Sequence, residues 1–138
     1  SCMAGQAFAN APVGAVHALA YPVGGIFHVP HGLSNSLVLP HVLRFNVPAA
    51  EQQYAELAQV LKLGHHGDNQ AQLAQAFIDY TATLSPSTGL PVGLREVGIA
   101  EKDLPVMASA AMLQTRLLSN NPRDVNEAQA LAIYQAAY

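Results

Sequence analysis

HALAYPVGGIFHVPHG, residues 17–32, carries three of the chain's six histidines across a run of prolines and glycines. Pro22-Val-Gly-Gly25 lies between His17 and His31, and such residues punctuate helices. The expected arrangement is therefore helix, tight turn, helix. The first helix should end at Pro22–Gly25, with His17 about one turn before that end. The second should open at His31, directly after Pro30. No single helix face can hold both imidazoles, but two helix ends joined by a tight turn can bring them together. A histidine at a helix N-terminus meets the positive end of the macrodipole, which favours the neutral ring that metal ligation requires. On spacing alone, His17 and His31 read either as half of a metal site or as a hydrogen-bonded structural pair.

Outward from this stretch the apolar residues keep helical spacing. Tyr54, Leu57, Ala58 and Leu61 follow i, i+3, i+4, i+7, as a core-facing stripe should. Leu73, Phe77, Tyr80 and Leu84 form a second stripe, and Met107, Ala110, Leu113 and Leu117 a third. Asp124-Val-Asn-Glu127 has capping-box spacing and is expected to start a last helix. Asn46-Val-Pro48 should end the second helix, Gly64-His-His-Gly67 should be a turn, and Ser85–Pro91 should be a loop. Nothing alternates with period two for long enough to be a strand. The expected fold is all-α, a bundle of about six helices within one domain spanning residues 1–138.

Two prolines fall inside helical patterns. Pro12 cannot donate to the carbonyl of Phe8, so the first helix should kink there or restart after Asn10; Pro40 does the same to Ser36. These kinks are either ordinary or serve to aim His17 and His41 inward. His28, three residues before His31, is a rival partner for it or a packing or solvent-facing residue. His41 can bond a carbonyl freed by Pro40. His65 and His66 read as solvated turn residues.

Composition narrows the function classes. Hydrophobic residues make up 51% of the chain and charged residues only 11%, which excludes disorder and suggests a surface partly hidden against another domain or subunit. The net charge is −3 with no basic run, so the footprint of a nucleic-acid binder is missing. No apolar run reaches the roughly 18 residues of a membrane span, and no signal peptide is visible. Cys2 stands alone, which suits a reducing, cytoplasmic setting. The chain opens Ser-Cys-Met-Ala rather than with an initiator methionine, as expected of an excised piece.

Read together, residues 14–46 resemble the signature of the iron-containing alcohol dehydrogenases, approximately G-x-x-H-x-x-A-H-x-x-G-x5-P-H-G. Gly14, His17, Ala20, Gly24, Pro30, His31 and Gly32 all fall in place. MAGQAFANAPVG resembles the helix leading into that signature, and Asn121-Pro-Arg123 with the last helix resembles the family's C-terminal end. The resemblance implies the all-α C-terminal domain of a two-domain enzyme of the dehydroquinate synthase-like class. It implies that His17 and His31 are metal ligands, completed by an Asp and a His upstream, and that a separate α/β domain binds NAD or NADP. Neither an Asp-x-x-x-His pair nor a phosphate-binding glycine loop occurs in these 138 residues.

The implied activity interconverts an alcohol and an aldehyde or ketone, with Fe(II), or Zn(II), polarising the substrate oxygen. The family also implies a small alcohol or aldehyde substrate and a homo-oligomer, most simply a dimer. Tyr21 stands where the family has a second histidine. A phenol does not titrate near neutrality as imidazole does, so Tyr21 is expected to contact substrate or cofactor ribose rather than relay protons. Gly24, with Gly25, is expected to allow close approach of backbone to cofactor or metal, or to make a plain turn; Phe27 is expected to line the pocket or to pack between domains. These 138 residues alone are expected to be catalytically inactive. The alternative is a stand-alone helical metal-binding or interaction module without catalysis.

Overall fold

Helix α2 (Ala15–Phe27) is the element around which the others assemble. Its inner face, Ala15, Ala18, Leu19, Ala20 and Val23, is buried in a single large core cluster. The computed structural model describes residues 1–138. The remaining helices are α1 (Cys2–Asn10), α3 (His31–Val60), α4 (Gln70–Ser87), α5 (Leu104–Ala111), α6 (Thr115–Leu118) and α7 (Glu127–Ala136). Two 3-10 turns, Leu94–Val97 and Glu101–Asp103, connect α4 to α5. The fold is all-α as expected, with seven α-helices rather than about six. No helix is long and apolar enough to cross a membrane.

The expected break at Pro22–Gly25 does not occur. Helix α2 runs through Pro22, Gly24 and Gly25 to Phe27. Leu19 and Val23 are wholly buried on either side of the proline, and their packing outweighs a local breaker worth about 3 kcal/mol. Tyr134 of α7 reinforces the contact: its buried hydroxyl donates to the Leu19 carbonyl at 2.6 Å. Burial also pushes the Tyr134 phenol far above its usual titration range. The restart expected after Asn10 does occur, with α1 ending at Asn10 and α2 beginning beyond Pro12.

Other boundaries shift by a few residues. α3 passes Pro40 without leaving helical geometry and continues past Asn46-Val-Pro48; its one irregular residue is Ala50, at φ −135° and ψ 15°. Pro48 has no N–H for the Arg44 carbonyl, and the bend appears two residues on. α4 includes Pro86 and ends at Ser87, so the expected loop shrinks. The capping box of α7 lies two residues later than Asp124: Asn126 Oδ1 accepts from Gln129 N, and Gln129 Oε1 accepts from Asn126 N. His65 and His66 sit in an exposed turn as expected.

The apolar stripes are only half covered. Ala50 and Tyr54 of α3 pack on Ala74 and Ile78 of α4 in a small second cluster and Ala58 is buried, while Leu57 and Leu61 stay 44% and 46% exposed. Tyr80 and Leu84 are exposed on α4, and Leu113 beyond α5 is 78% exposed. The outer part of the α3–α4 hairpin has a partner on one side only, so one side of each helix stays uncovered. α1 buries no residue at all.

An asparagine pair joins the ends of this arrangement. Asn46 of α3, only 4% exposed, donates from Nδ2 to Asn121 Oδ1 at 3.0 Å and accepts from Asn121 Nδ2 at 2.8 Å. Asn121 Oδ1 also accepts the Ala15 N–H at 3.3 Å, capping α2 from the far end of the sequence. Arg123 donates to the Phe45 carbonyl at 2.8 Å and stacks over the Phe45 ring at 4.1 Å. Removing the Asn121 amide leaves the Asn46 side chain buried and unpaired. Asn121→Ala should therefore lower the unfolding free energy by about 2 kcal/mol in urea titrations, against a few tenths for Gln135→Ala, whose exposed side chain makes no hydrogen bond.

Candidate metal centre

His17 lies in the first turn of α2, not near a helix end before a turn, and His31 is the first residue of α3. Their ring centres are 5.3 Å apart with an interplanar angle of 54°. The chain achieves this by doubling back. His28 takes the left-handed conformation, φ 57°, at the end of α2 and reverses the direction of the backbone. Val29 then lies back across the preceding turn, and a Cβ at Gly24 would come within 3.3 Å of the Val29 carbonyl. Ser34, fully buried, donates from Oγ toward the Val29 and Pro30 carbonyls, both at 3.1 Å, and locks the reversal. The close approach that Gly24 permits is that of the chain's own backbone.

The two rings differ in their surroundings. No protein group hydrogen-bonds to the His17 ring. Burial, and secondarily the proximity of His31, hold its pKa below the usual 6.5. His31 is exposed, and its orientation is set by Asn35 one turn along. Asn35 Nδ2 donates to the His31 carbonyl at 3.0 Å and lies 3.1 Å from His31 Nε2. Asn35 Oδ1 is the one buried side-chain polar atom with no partner. The i, i+4 spacing of His31 and Asn35 was a legible signal for this pairing.

The other candidates fall as follows. Tyr21 is one turn beyond His17 on α2 and is 53% exposed. Tyr21, Gly24, Gly25 and His31, with Ala20 and Val29, line a cleft of about 280 Å³. Phe27 does not line it and packs against the main core. His28 is exposed at the reversal. His41 makes no bond to a carbonyl; it is half-buried beside Arg44, and burial, followed by that charge, lowers its pKa. No group of three or more His, Cys, Asp or Glu side chains that could hold a metal ion forms in these residues; His17 and His31 stand as a pair with no third such side chain beside them.

Comparison with known proteins gives a consistent picture. The model of the Fe-containing alcohol dehydrogenase family, C-terminal, matches residues 1–138. The chain is 38% identical over 138 residues to a 1,3-propanediol dehydrogenase of Citrobacter freundii, covering all of this chain and 35% of that protein. It is 32% identical over 136 residues to a lactaldehyde reductase of Escherichia coli (strain K12), covering 99% of this chain and 35% of that protein. Among solved structures, an alcohol dehydrogenase from Oenococcus oeni superposes with a TM-score of 0.90 at 33% identity. That match covers 98% of this chain and 35% of that one. The chain thus spans about a third of the length of the curated relatives it matches.

The depressed histidines make stability depend on pH with a definite sign. Below pH 6.5 the unfolded imidazoles take up protons before folded His17 and His41 do, which favours the unfolded state. Stability should hold above that pH and decline as pH falls through the lower folded values. The urea midpoint should therefore drop between pH 7.5 and 5.5, and His17→Gln combined with His41→Gln should flatten that decline. An unchanged slope in the double variant would contradict the assignment.

Proposed function

Because the chain belongs to the Fe-containing alcohol dehydrogenase family as its C-terminal helical part, we propose that it is the metal-holding portion of an NAD(P)-linked alcohol dehydrogenase. The reaction interconverts an alcohol and an aldehyde or ketone, with a nicotinamide as the hydride acceptor or donor. The observation that carries this reading is the 5.3 Å separation of the His17 and His31 rings. Two imidazoles on one tetrahedral first-row ion, at nitrogen distances of ~2.0–2.1 Å, place their ring centres about 5 Å apart. The donor set also fits: two neutral nitrogens suit Fe(II) or Zn(II), and the lowered His17 pKa keeps a lone pair available at neutral pH.

When bound, the ion supplies Lewis acidity toward the substrate oxygen. The chain's own residues do the rest of what can be assigned. Asn35 keeps the His31 ring from rotating, and the Gly24–Val29 contact holds the start of α3 against α2. Tyr21, beside the pair and half-exposed, offers a phenol hydroxyl to substrate or to a cofactor ribose. Gly25, with open space where a Cβ would stand, gives the same cleft a wall that no side chain obstructs, while Gly24 beside it is closed by the Val29 carbonyl. We assign Phe27 to the packing that supports this wall. The remaining ligands and the nicotinamide site belong to protein outside these 138 residues, in a cytoplasmic homo-oligomer, and small alcohols and aldehydes are the substrates. The uncovered apolar surface of α1 and the α3–α4 hairpin is consistent with such burial.

In the complete gene product, His17→Ala and His31→Ala should each purify with metal content reduced at least tenfold by atomic absorption, with helical content unchanged. Stoichiometric metal in either variant would remove that residue from the ligand set. The 138-residue chain alone, given Fe(II), NAD(P) and a simple alcohol, should show no turnover; measurable reduction of the nicotinamide would overturn the division of labour proposed.

A further inference from the structure

The chain has four arginines, and three are engaged. Arg44 approaches Asp79, Arg95 stacks over Tyr138 at 4.4 Å, and Arg123 bonds the Phe45 carbonyl while stacking on its ring. The Arg116 side chain alone has no ion pair, stacking partner or hydrogen bond. It lines a second cleft, of about 540 Å³, together with Tyr21, Gln114, Leu117, Ser119 and Asn120. Tyr21 lines both this cleft and the one containing His31, so the two meet at its side chain.

The main chain that carries Arg116 is held in place by side-chain bonds to its carbonyl. Ser119 Oγ and Asn120 Nδ2 both donate to the Arg116 carbonyl, at 3.1 and 3.0 Å, and Asn120 Nδ2 also reaches the Val13 carbonyl at 3.2 Å. These bonds tie α6 to the segment that leads into the first turn of α2, where His17 lies. The cleft contains no acidic side chain, although the chain as a whole carries a net charge of −3. The Arg116 guanidinium, the Gln114 amide and the Tyr21 hydroxyl are donors without protein acceptors there. A single planar guanidinium fork matches the two oxygens of a carboxylate.

We propose that this cleft receives the tail of the substrate, and that Arg116 selects alcohols and aldehydes bearing a carboxylate at the end remote from the reacting carbon. The inference rests on the dehydrogenase reading above and names its substrate class. The reacting end lies at the histidine pair, the spacer passes Tyr21, and the carboxylate pairs with Arg116. Oxidation of such a hydroxy acid yields the corresponding aldehyde acid, with the hydride passing to the nicotinamide and the hydroxyl proton to solvent.

The test compares 4-hydroxybutanoate with 1-butanol in the complete, metal-loaded gene product. The ratio of their kcat/KM values should exceed one. In Arg116→Gln that ratio should fall by about tenfold or more, through a raised KM for 4-hydroxybutanoate, and Arg116→Lys should restore part of it. The side chain is exposed and makes no hydrogen bond, ion pair or stacking contact, so both variants should fold. A ratio below one in the wild type, or one unchanged in Arg116→Gln, would overturn the carboxylate assignment while leaving the dehydrogenase reading intact. Turnover of neither alcohol would overturn both.

Discussion

The hydrogen-bonded pair of Asn46 and Asn121 is the constraint on which the rest of the architecture depends. Two amides facing each other can each donate and accept, so a buried pair satisfies most of its own polar demand. One further acceptor site on Asn121 Oδ1 takes the Ala15 N–H. A Cβ at Gly14 would lie 3.2 Å from the Asn121 Cα, so the backbone reaches this junction only without a bulky side chain. The consequence is that the N-terminus of α2, the middle of α3 and the segment before α7 share one junction. His17 follows Ala15 by two residues and takes its place from that junction.

A second constraint places His31. The reversal at His28 would be free to move if Val29 and Pro30 were held only by their neighbours in sequence. Gly24 lets the Val29 carbonyl approach α2 closely, and Ser34 bonds that carbonyl and the next. Both histidines thus stand at helix starts, on backbone held by buried polar contacts. Such placement is what the proposed ligand role requires, since a metal tolerates errors of only a few tenths of an ångström in its donors. Partial burial of His17 adds an electrostatic preference for the neutral form of its ring.

The surface carries the complementary message. Helices with apolar residues on two sides, such as the outer part of α3 and α4, cover one side against each other and leave Leu57, Leu61, Tyr80 and Leu84 in solvent. α1 exposes Met3 and Phe8 and buries nothing. A helix of nine residues is marginal in water by itself, so its stability must come from contacts beyond its own backbone. The low charge density belongs with the same picture, as do relatives about three times the length of this chain.

Helical periodicity, with no alternating segment, was enough to determine the all-α class. Spacing left His17 and His31 open between a metal pair and a structural pair; it was the family resemblance of residues 14–46 that pointed to them, two rings that the fold brings to 5.3 Å. Turn chemistry was legible where solvent decides it, as at Gly64–Gly67 and Pro12. It failed at Pro22–Gly25 and at Pro48, because burying Leu19, Val23 and their neighbours outweighs the local cost of a proline or glycine in a helix. The apolar stripes were legible as stripes, but which half of each would be covered depends on how many partners a helix has. That Gly24 faces the chain's own carbonyl, that Asn121 caps a helix more than a hundred residues earlier, and that Arg116 shares a cleft with Tyr21 are decided by tertiary structure alone. Each joins groups whose separation in sequence carries no periodic signal, and only the packed core brings them within hydrogen-bonding or ligand-sharing reach.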